Sequence, residues 1–372
     1  MNVFLSAGEA SGDAYAAALV SELRLFEREL GDEPVCFAGI GGRRLASAGL
    51  RLIADSSSWG AISILESLKV VPRVLGGYYA AKRFLKASTP GLLIPIDFGY
   101  ANIRLARHAK KCGWKVLYFV PPGSWRRDRQ GGDLVSVSDA VSTPFSWSAD
   151  ILKAKGVDAH WYGHPIKQLL RDRMPSKDGS ERTRIAVLPG SRRHEIDQNL
   201  PVIAKAVRDP IEFGLAPSVD VETFQREWNR LAPGRTEDRF TQGDIYAVLT
   251  RCRAAVVCSG TATLEAALCW CPMVVIYRFP KIAEFEAKLV GFKRPQFISL
   301  PNILLNRLAV PELVQEQATP EALTAALDRL SDDSDARQRQ IEAFEELDSL
   351  LGPSDAITQT AQLAIRLIKA VR

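Results

Sequence analysis

The chain is poor in the residues that most often hold metals. Four histidines lie scattered through 372 residues, so a histidine-based metal site is not expected. Six cysteines show neither zinc-like nor disulfide-framework spacing. Cys269-Trp270-Cys271 is too close for a CxxC redox pair, and Cys252 and Cys258 flank or lie in an apolar strand. Reduced, mostly buried thiols in a cytoplasmic protein are the expectation. No apolar run approaches the ~20 residues of a spanning helix. The start, Met1-Asn2-Val3-Phe4-Leu5-Ser6-Ala7-Gly8, lacks the basic start and long apolar stretch of an export signal. It reads as a first β-strand entering a turn. No recognition helix, RNA-binding signature or aromatic-interleaved basic stretch is present, so nucleic acid is not an expected partner.

What is present describes a globular chain long enough for two domains of ordinary size, with 47% hydrophobic and 24% charged residues to build cores and surfaces. The net charge of +5 is uneven. Arg104, Arg107, Lys110, Lys111, Lys115, Arg126, Arg127 and Arg129 are opposed in that stretch only by Asp128. Such a run suits an anionic partner, a phosphorylated substrate or an acidic lipid surface; it also fits a solvated helix face.

Two short segments are the most informative. In Leu188-Pro189-Gly190-Ser191-Arg192-Arg193-His194-Glu195 and in Ser259-Gly260-Thr261-Ala262-Thr263-Leu264-Glu265, an apolar run ends in small residues and passes into helix-favouring sequence. A strand, a glycine-containing turn and a helix start make an anion site, because free backbone N–H groups converge there and the helix dipole favours negative charge. Two such sites suggest a diphosphate ligand. Glu265 follows Ser259 by about one and a half helical turns, where a carboxylate can meet ribose hydroxyls or simply face solvent.

The first half alternates strand and helix. Val3 to Ser6, Val35 to Ala38 (closed by Gly39-Ile40-Gly41-Gly42), Leu92 to Ile96, Val116 to Val120 and Ala140 to Ser142 read as strands. Ser11 or Asp13 is placed to cap the first helix. A polar stretch from Asp172 to Arg184 reads as a linker. Beyond it, Ile185 to Leu188, Ala254 to Val257 and Met273 to Tyr277 repeat the alternation, and helices are expected at 261–268, 320–330, 334–351 and 355–370. Apolar strands alternating with helices predict parallel sheets covered on both faces, with ligands at the carboxyl ends of the strands. Trp59 to Leu75 is unusually apolar for a connector and carries Lys69 and Arg73. It reads either as an amphipathic helix packed on the sheet or as an acyl-chain or membrane face, with Ile64, Leu65 and Val71 as contacts.

In order, Ala7-Gly8-Glu9-Ala10-Ser11-Gly12-Asp13, Ile96-Asp97 with Asn102-Ile103, Gly163-His164-Pro165, Leu188 to Glu195, Ser259 to Ala266, Ser299-Leu300-Pro301-Asn302, and Glu312-Leu313 with Gln315 resemble the motifs of the lipid-A-disaccharide synthase family. The resemblance runs through nearly the whole chain. It implies an α/β GT-B fold, two Rossmann-like domains with parallel sheets facing a central cleft. Residues 1–170 would be an acceptor-binding domain, 171–184 a linker, and 185–351 a UDP-sugar-binding domain. Residues 352–372 would be a C-terminal helix, for which packing back on the first domain is one arrangement. The implied reaction moves diacylglucosamine from UDP-2,3-diacylglucosamine to 2,3-diacylglucosamine 1-phosphate, giving a β-1,6-linked disaccharide 1-phosphate and UDP with inversion.

The resemblance also distributes roles. Asp97 is the first choice of general base, Glu9 the second or an acceptor-orienting group, and Arg192 the neutraliser of the departing diphosphate. Gly190, Ser191, Arg192, Ser259, Gly260, Thr261, Glu265 and Asn302 would bind the donor, and Ser11, Gly12 and Asn102 the acceptor. No metal or other cofactor is expected, since Arg192 and helix ends can carry the leaving group. The expected setting is the cytoplasmic side of a bacterial inner membrane, with an anionic membrane surface as partner and homo-oligomerisation left open. Three departures bear on the acceptor: the family's PDFN reads Gly99-Tyr100-Ala101-Asn102 and so loses a carboxylate, its aromatic PSVWAWR stretch reads Gly123 to Asp128, and the chain diverges between His194 and Thr241, with Ile211 to Pro217 in place of the expected strand and polar loop. Another UDP-sugar enzyme of the same fold (a lipid-linked GlcNAc transferase or a UDP-GlcNAc 2-epimerase), or a non-catalytic binding homologue, is the alternative.

Overall fold

The computed structural model describes residues 1–26, 34–57, 59, 64–124, 126, 133–171, 182–278, 295–330 and 334–370, with backbone alone for 64–69. They form two compact units, Met1–Arg171 with Leu351–Arg372, and Asp172–Leu350.

The first unit is built on seven parallel strands: β1 (Asn2–Ala7), β2 (Cys36–Gly41), β3 (Arg51–Asp55), β4 (Leu92–Ile96), β5 (Lys115–Phe119), β6 (Ala140–Thr143) and β7 (Ala159–Trp161), in the order β3-β2-β1-β4-β5-β6-β7. β1 and β4 are buried almost throughout, as strands covered by helices on both faces must be. Pro95 sits inside β4 without breaking the sheet. It lies opposite Ser6 of β1, while on the other side the register passes from Leu93↔Val116 to Ile96↔Phe119 and so leaves the missing N–H unused. β2 runs to Gly41, so Gly39 to Gly41 continue the strand instead of closing it.

The order of the sheet reverses between β1 and β4, which pair as far as Ala7↔Ile96. The loops leaving these two strands therefore start side by side at the carboxyl edge. Helix Ala10–Leu25 follows β1 and buries Leu19, Val20 and Leu23. Its N-cap is Glu9, with no side-chain cap. Asp13 does not cap its own helix. Its buried carboxylate accepts from the amides of Gly42 (2.6 Å), Arg44 (3.0 Å) and Leu45 (3.3 Å), fixing the start of helix Arg43–Ser47. His164 likewise has a structural task. It caps helix Pro165–Leu170 by accepting from the Ile166 amide at 3.2 Å, and burial pushes its imidazole down to about 3, so it stays neutral.

Helix Ala356–Lys369 belongs to this first unit. Its buried stripe of Ile357, Ala361, Ala364, Ile365 and Ile368 packs against helix Ala10–Leu25. Gln168 locks its start by accepting from the Ile357 amide at 2.7 Å.

The second unit carries six parallel strands: β8 (Arg184–Leu188), β9 (Ile211–Leu215), β10 (Arg239–Gln242), β11 (Cys252–Cys258), β12 (Met273–Tyr277) and β13 (Glu312–Val314), ordered β10-β9-β8-β11-β12-β13. Its core gathers Phe213, Phe224, Trp228 and Leu323 with the strand valines and isoleucines. Ile211–Leu215, part of the stretch that diverges from the family pattern, is a fully buried strand. Residues 172–181 of the expected linker lie outside the described residues. Arg182 is buried, donating to the Trp270 carbonyl at 3.3 Å, and β8 begins at Arg184, so the end of that stretch is part of the second unit. Here the order reverses between β8 and β11.

Candidate functional site

The two switch points carry the four motif loops: Gly8-Glu9 after β1, Asp97-Phe98 after β4, Pro189 to Arg192 after β8, and Ser259-Gly260 after β11. Each unit thus brings two motifs to the edge where open parallel sheets bind ligands.

In the first unit the centre is Asp97. Its backbone is left-handed (φ 47°), as are Phe98 (φ 50°) and Val120 (φ 51°), and no glycine relieves any of the three. Such conformations persist only where the surroundings impose them. Here the Asp97 amide donates to the Val120 carbonyl at 3.1 Å. The Asp97 carbonyl accepts from the Asn102 amide and from the Tyr118 hydroxyl, each at 3.0 Å. Burial first, and the charge of Asp97 second, hold the Tyr118 phenol well above its usual value, so it remains a donor. The carboxyl of Asp97 is pushed up to about 6, chiefly by desolvation and then by the negative charge of Glu9; a hydrogen bond from the Phe98 backbone acts in the opposite sense. A carboxylate near pH 6 is suited to take a proton from a hydroxyl at neutral pH.

Ser11 and Gly12 lie in the first turn of the helix that Glu9 starts, Ser11 half-buried and Gly12 buried. Asn102 corrects the expectation of an acceptor contact. It is 1% exposed, and its amide donates to the carbonyls of Ser6, Ile96 and Asp97 while its oxygen accepts from the Ser6 hydroxyl at 2.6 Å. It holds β1, β4 and the Asp97 turn together.

In the second unit the two helix starts differ. Gly190 takes φ +118°, and a Cβ there would stand 2.6 Å from Glu195. The buried Glu195 carboxylate accepts from the amides of Ser191 (2.9 Å) and Arg192 (3.2 Å), and the Arg192 guanidinium bonds it at 3.1 Å. The amides expected to meet a phosphate are therefore already occupied by an internal anion, and Arg192 is partly neutralised by it.

The start of helix Thr261–Leu268 is open. Gly260, at φ +144°, caps it with no side chain, nothing stands within 4 Å of where its Cβ would be, and Thr261 is exposed. Ser259 is fixed by donating to the Ile298 carbonyl at 2.7 Å. Glu265, one turn into the helix, accepts from the Tyr246 hydroxyl at 2.8 Å. Asn302, expected at the donor, is fully buried. It donates to Glu312 (2.8 Å) and Val310 and accepts from the amides of Ala309 and Val310. Glu312 gathers the Ile298 and Ser299 amides and the Ser299 hydroxyl as well. These two motifs brace the loop that holds Ser259.

The basic run is less isolated than its sequence implies: Arg107 pairs with Asp133 at 3.2 Å, and Lys110 and Lys115 with Asp139 at 2.8 and 3.2 Å. Arg127 and Arg129 lie outside the described residues. The apolar connector becomes helix Ile64–Ala87. The side chains of Ile64 and Leu65 lie outside the described part; Trp59, Val70 and Val74 turn inward against the core, while Val71, Leu75 and Tyr79 are 45%, 46% and 58% exposed. Among the described residues no group of His, Cys, Asp or Glu could hold a metal, and no helix is long and apolar enough to cross a membrane.

Two doubly wound parallel-sheet units of this kind define the GT-B fold of glycosyltransferases. Among solved structures, Staphylococcus aureus MnaA with UDP matches over 100% of this chain and 97% of its own (TM-score 0.62, 12% identity). Acinetobacter baumannii MurG matches over 98% and 99% (TM-score 0.56, 14% identity). At such identities the likeness is one of fold. The family profile described as Lipid-A-disaccharide synthetase matches residues 3–364, and the chain belongs to that family. Similar relatives are the lipid-A-disaccharide synthases of Geobacter metallireducens (34% identical, covering 89% of this chain and 88% of that one) and Syntrophus aciditrophicus (31%, covering 99% and 98%).

Proposed function

We propose that the chain transfers a diacylglucosamine unit from its UDP carrier to diacylglucosamine 1-phosphate, with inversion at the anomeric carbon. The observation that carries the reading is Asp97. It is a buried carboxyl raised to about 6, held in an imposed left-handed turn beside Glu9 at the switch point of the first unit. In the reaction Asp97 removes the proton of the acceptor 6-hydroxyl as that oxygen attacks the anomeric carbon, and UDP departs from the opposite face. Glu9 keeps the Asp97 pKa high and orients the acceptor, and Ser11 and Gly12 line its approach. The open helix start at Gly260 and Thr261 receives the diphosphate, Ser259 shapes that turn, and Glu265 takes the ribose. Gly190 and Ser191 form the tight turn that presents Arg192, which adds positive charge at the leaving group while sharing it with Glu195.

The exposed side of helix Ile64–Ala87, with Val71, Leu75, Tyr79 and Arg73, supports a peripheral seat on an anionic bacterial inner membrane. The test is turnover of UDP-diacylglucosamine with diacylglucosamine 1-phosphate, followed by mass spectrometry of the lipid extract. A disaccharide 1-phosphate with stoichiometric UDP is expected. UDP release without an acceptor-dependent product would overturn the reading.

A further inference from the structure

One shallow cavity, about 330 Å³, opens on the first unit between Gly99, Tyr100, Arg104, Arg107, Pro122 and Asp133. Gly99 begins the helix after the Asp97 turn and Pro122 follows β5, so the cavity lies on the same carboxyl edge as the base. Arg104 and Arg107 are one turn apart on helix Gly99–Lys111 and project to the same side. The Arg104 guanidinium stacks on the Tyr100 ring, 4.0 Å from its centroid, and bonds the Tyr100 hydroxyl. Arg107 is paired with Asp133 at 3.2 Å, with both side chains largely in water. The cavity therefore has two guanidinium groups and one carboxylate. Tyr100 stands where the family pattern has an acid, and this exchange makes the cavity positive. The size suits a small polar head. Planar guanidinium forks match phosphate oxygens.

We propose that this cavity binds the phosphomonoester of the acceptor sugar phosphate, Arg104 and Arg107 gripping the phosphate and Tyr100 holding Arg104 in place. The proposal rests on the transfer reaction given above for the identity of the acceptor. The bound phosphate displaces Asp133 from Arg107, since a dianion outbids a monoanion for the same cation. Acidic lipid headgroups offer related chemistry, and the test separates the two sources.

Kinetics of Arg104→Ala, Arg107→Ala and Asp133→Asn should be measured with diacylglucosamine 1-phosphate and with the same acceptor lacking its phosphate. Each arginine variant is expected to raise KM for the phosphorylated acceptor by about tenfold, the scale of one charge-assisted contact, with kcat and the donor KM little changed. The phosphate-free acceptor should be unaffected by either. Asp133→Asn should move KM for the phosphorylated acceptor the other way. An equal change for both acceptors, or none, overturns the proposal. Calorimetry with glucosamine 1-phosphate provides a readout independent of turnover: saturable binding lost in the arginine variants supports the pocket even if the wild type makes no disaccharide, in which case only the proposed reaction falls. If the arginine variants lose binding to phosphatidylglycerol vesicles while glucosamine 1-phosphate binding is unchanged, the occupant is a lipid headgroup and the proposal is wrong.

Discussion

Replacing Asp97 by Asn separates what this residue does for catalysis from what it does to stability. The folded-state pKa of about 6 lies above the ordinary value of 3.8, because burial and Glu9 disfavour the charged form. Between those two pH values the folded protein holds a proton that the unfolded chain releases. The wild type therefore loses stability as pH rises through that window and carries the full penalty above it. This rise corresponds to about 3 kcal/mol. Asparagine does not titrate, accepts the same backbone hydrogen bond from Phe98, and is one of the few residues that tolerates the left-handed region. Asp97→Asn should thus be more stable than the wild type by about 3 kcal/mol at pH 8 and by almost nothing near pH 3.5. Urea denaturation of both proteins across pH 3.5–8 measures this directly. Turnover should meanwhile fall ~100-fold or more, the scale of general-base assistance, with UDP affinity unchanged. A stability difference that is flat with pH would show that Asp97 is not held protonated by its surroundings. Near-native turnover in the variant would remove Asp97 from the base role and leave Glu9 as the candidate.

The remaining expectations follow from the same contacts. Glu9→Gln removes one of the two causes that raise Asp97, so the acidic limb of the kcat/KM profile, expected near pH 6, should move to lower pH; a limb that stays put or rises contradicts the coupling. Glu265→Ala should weaken UDP binding by about 1–3 kcal/mol in calorimetry, and unchanged affinity would sink the ribose assignment. Asn102→Ala leaves the carbonyls of Ser6, Ile96 and Asp97 without their amide, and should lose about 1–3 kcal/mol in denaturation and lower kcat while sparing UDP affinity. Serine at Val71, Leu75 and Tyr79 should reduce co-sedimentation with anionic vesicles at unchanged folding stability; loss of stability in its place would make that side of the helix part of the core.

The parallel-sheet fold could be read in the sequence because its central strands are continuous apolar runs, such as Leu92 to Ile96, ending in glycine or acid. Strands β3, β7, β10 and β13 escaped because they are short and partly exposed, so they lack such runs. Strand β9 is fully buried and escaped for a different reason: Glu212 and Gly214 interrupt its apolar run. The loops of the site were legible for a related reason: small residues after an apolar strand leave few conformations except a tight turn into a helix. The tasks of individual polar residues were not. Asn102 and Asn302 sit in motifs where an amide serves equally well for a ligand or for strained carbonyls nearby, and only the folded chain shows which carbonyls surround them. Glu195 gave one usable signal, since an acid three residues after a helix cap is placed to reach back to the cap amide. The presence of Arg192 at the cap, where serine or threonine is usual, obscured it. His164 followed the same pattern, a motif residue whose buried ring caps a helix and packs on Tyr15 and Phe145.

The return of helix Ala356–Lys369 to the first unit has a consequence for synthesis. While the ribosome is still translating, the part of helix Ala10–Leu25 that packs against helix Ala356–Lys369 has no cover, although every strand of its own sheet has already emerged. The second unit, whose strands end at Val314, needs nothing from this late segment and can complete its core first. The order of folding then runs against the order of translation: the unit that bears the base is the first to be made and the last to be finished.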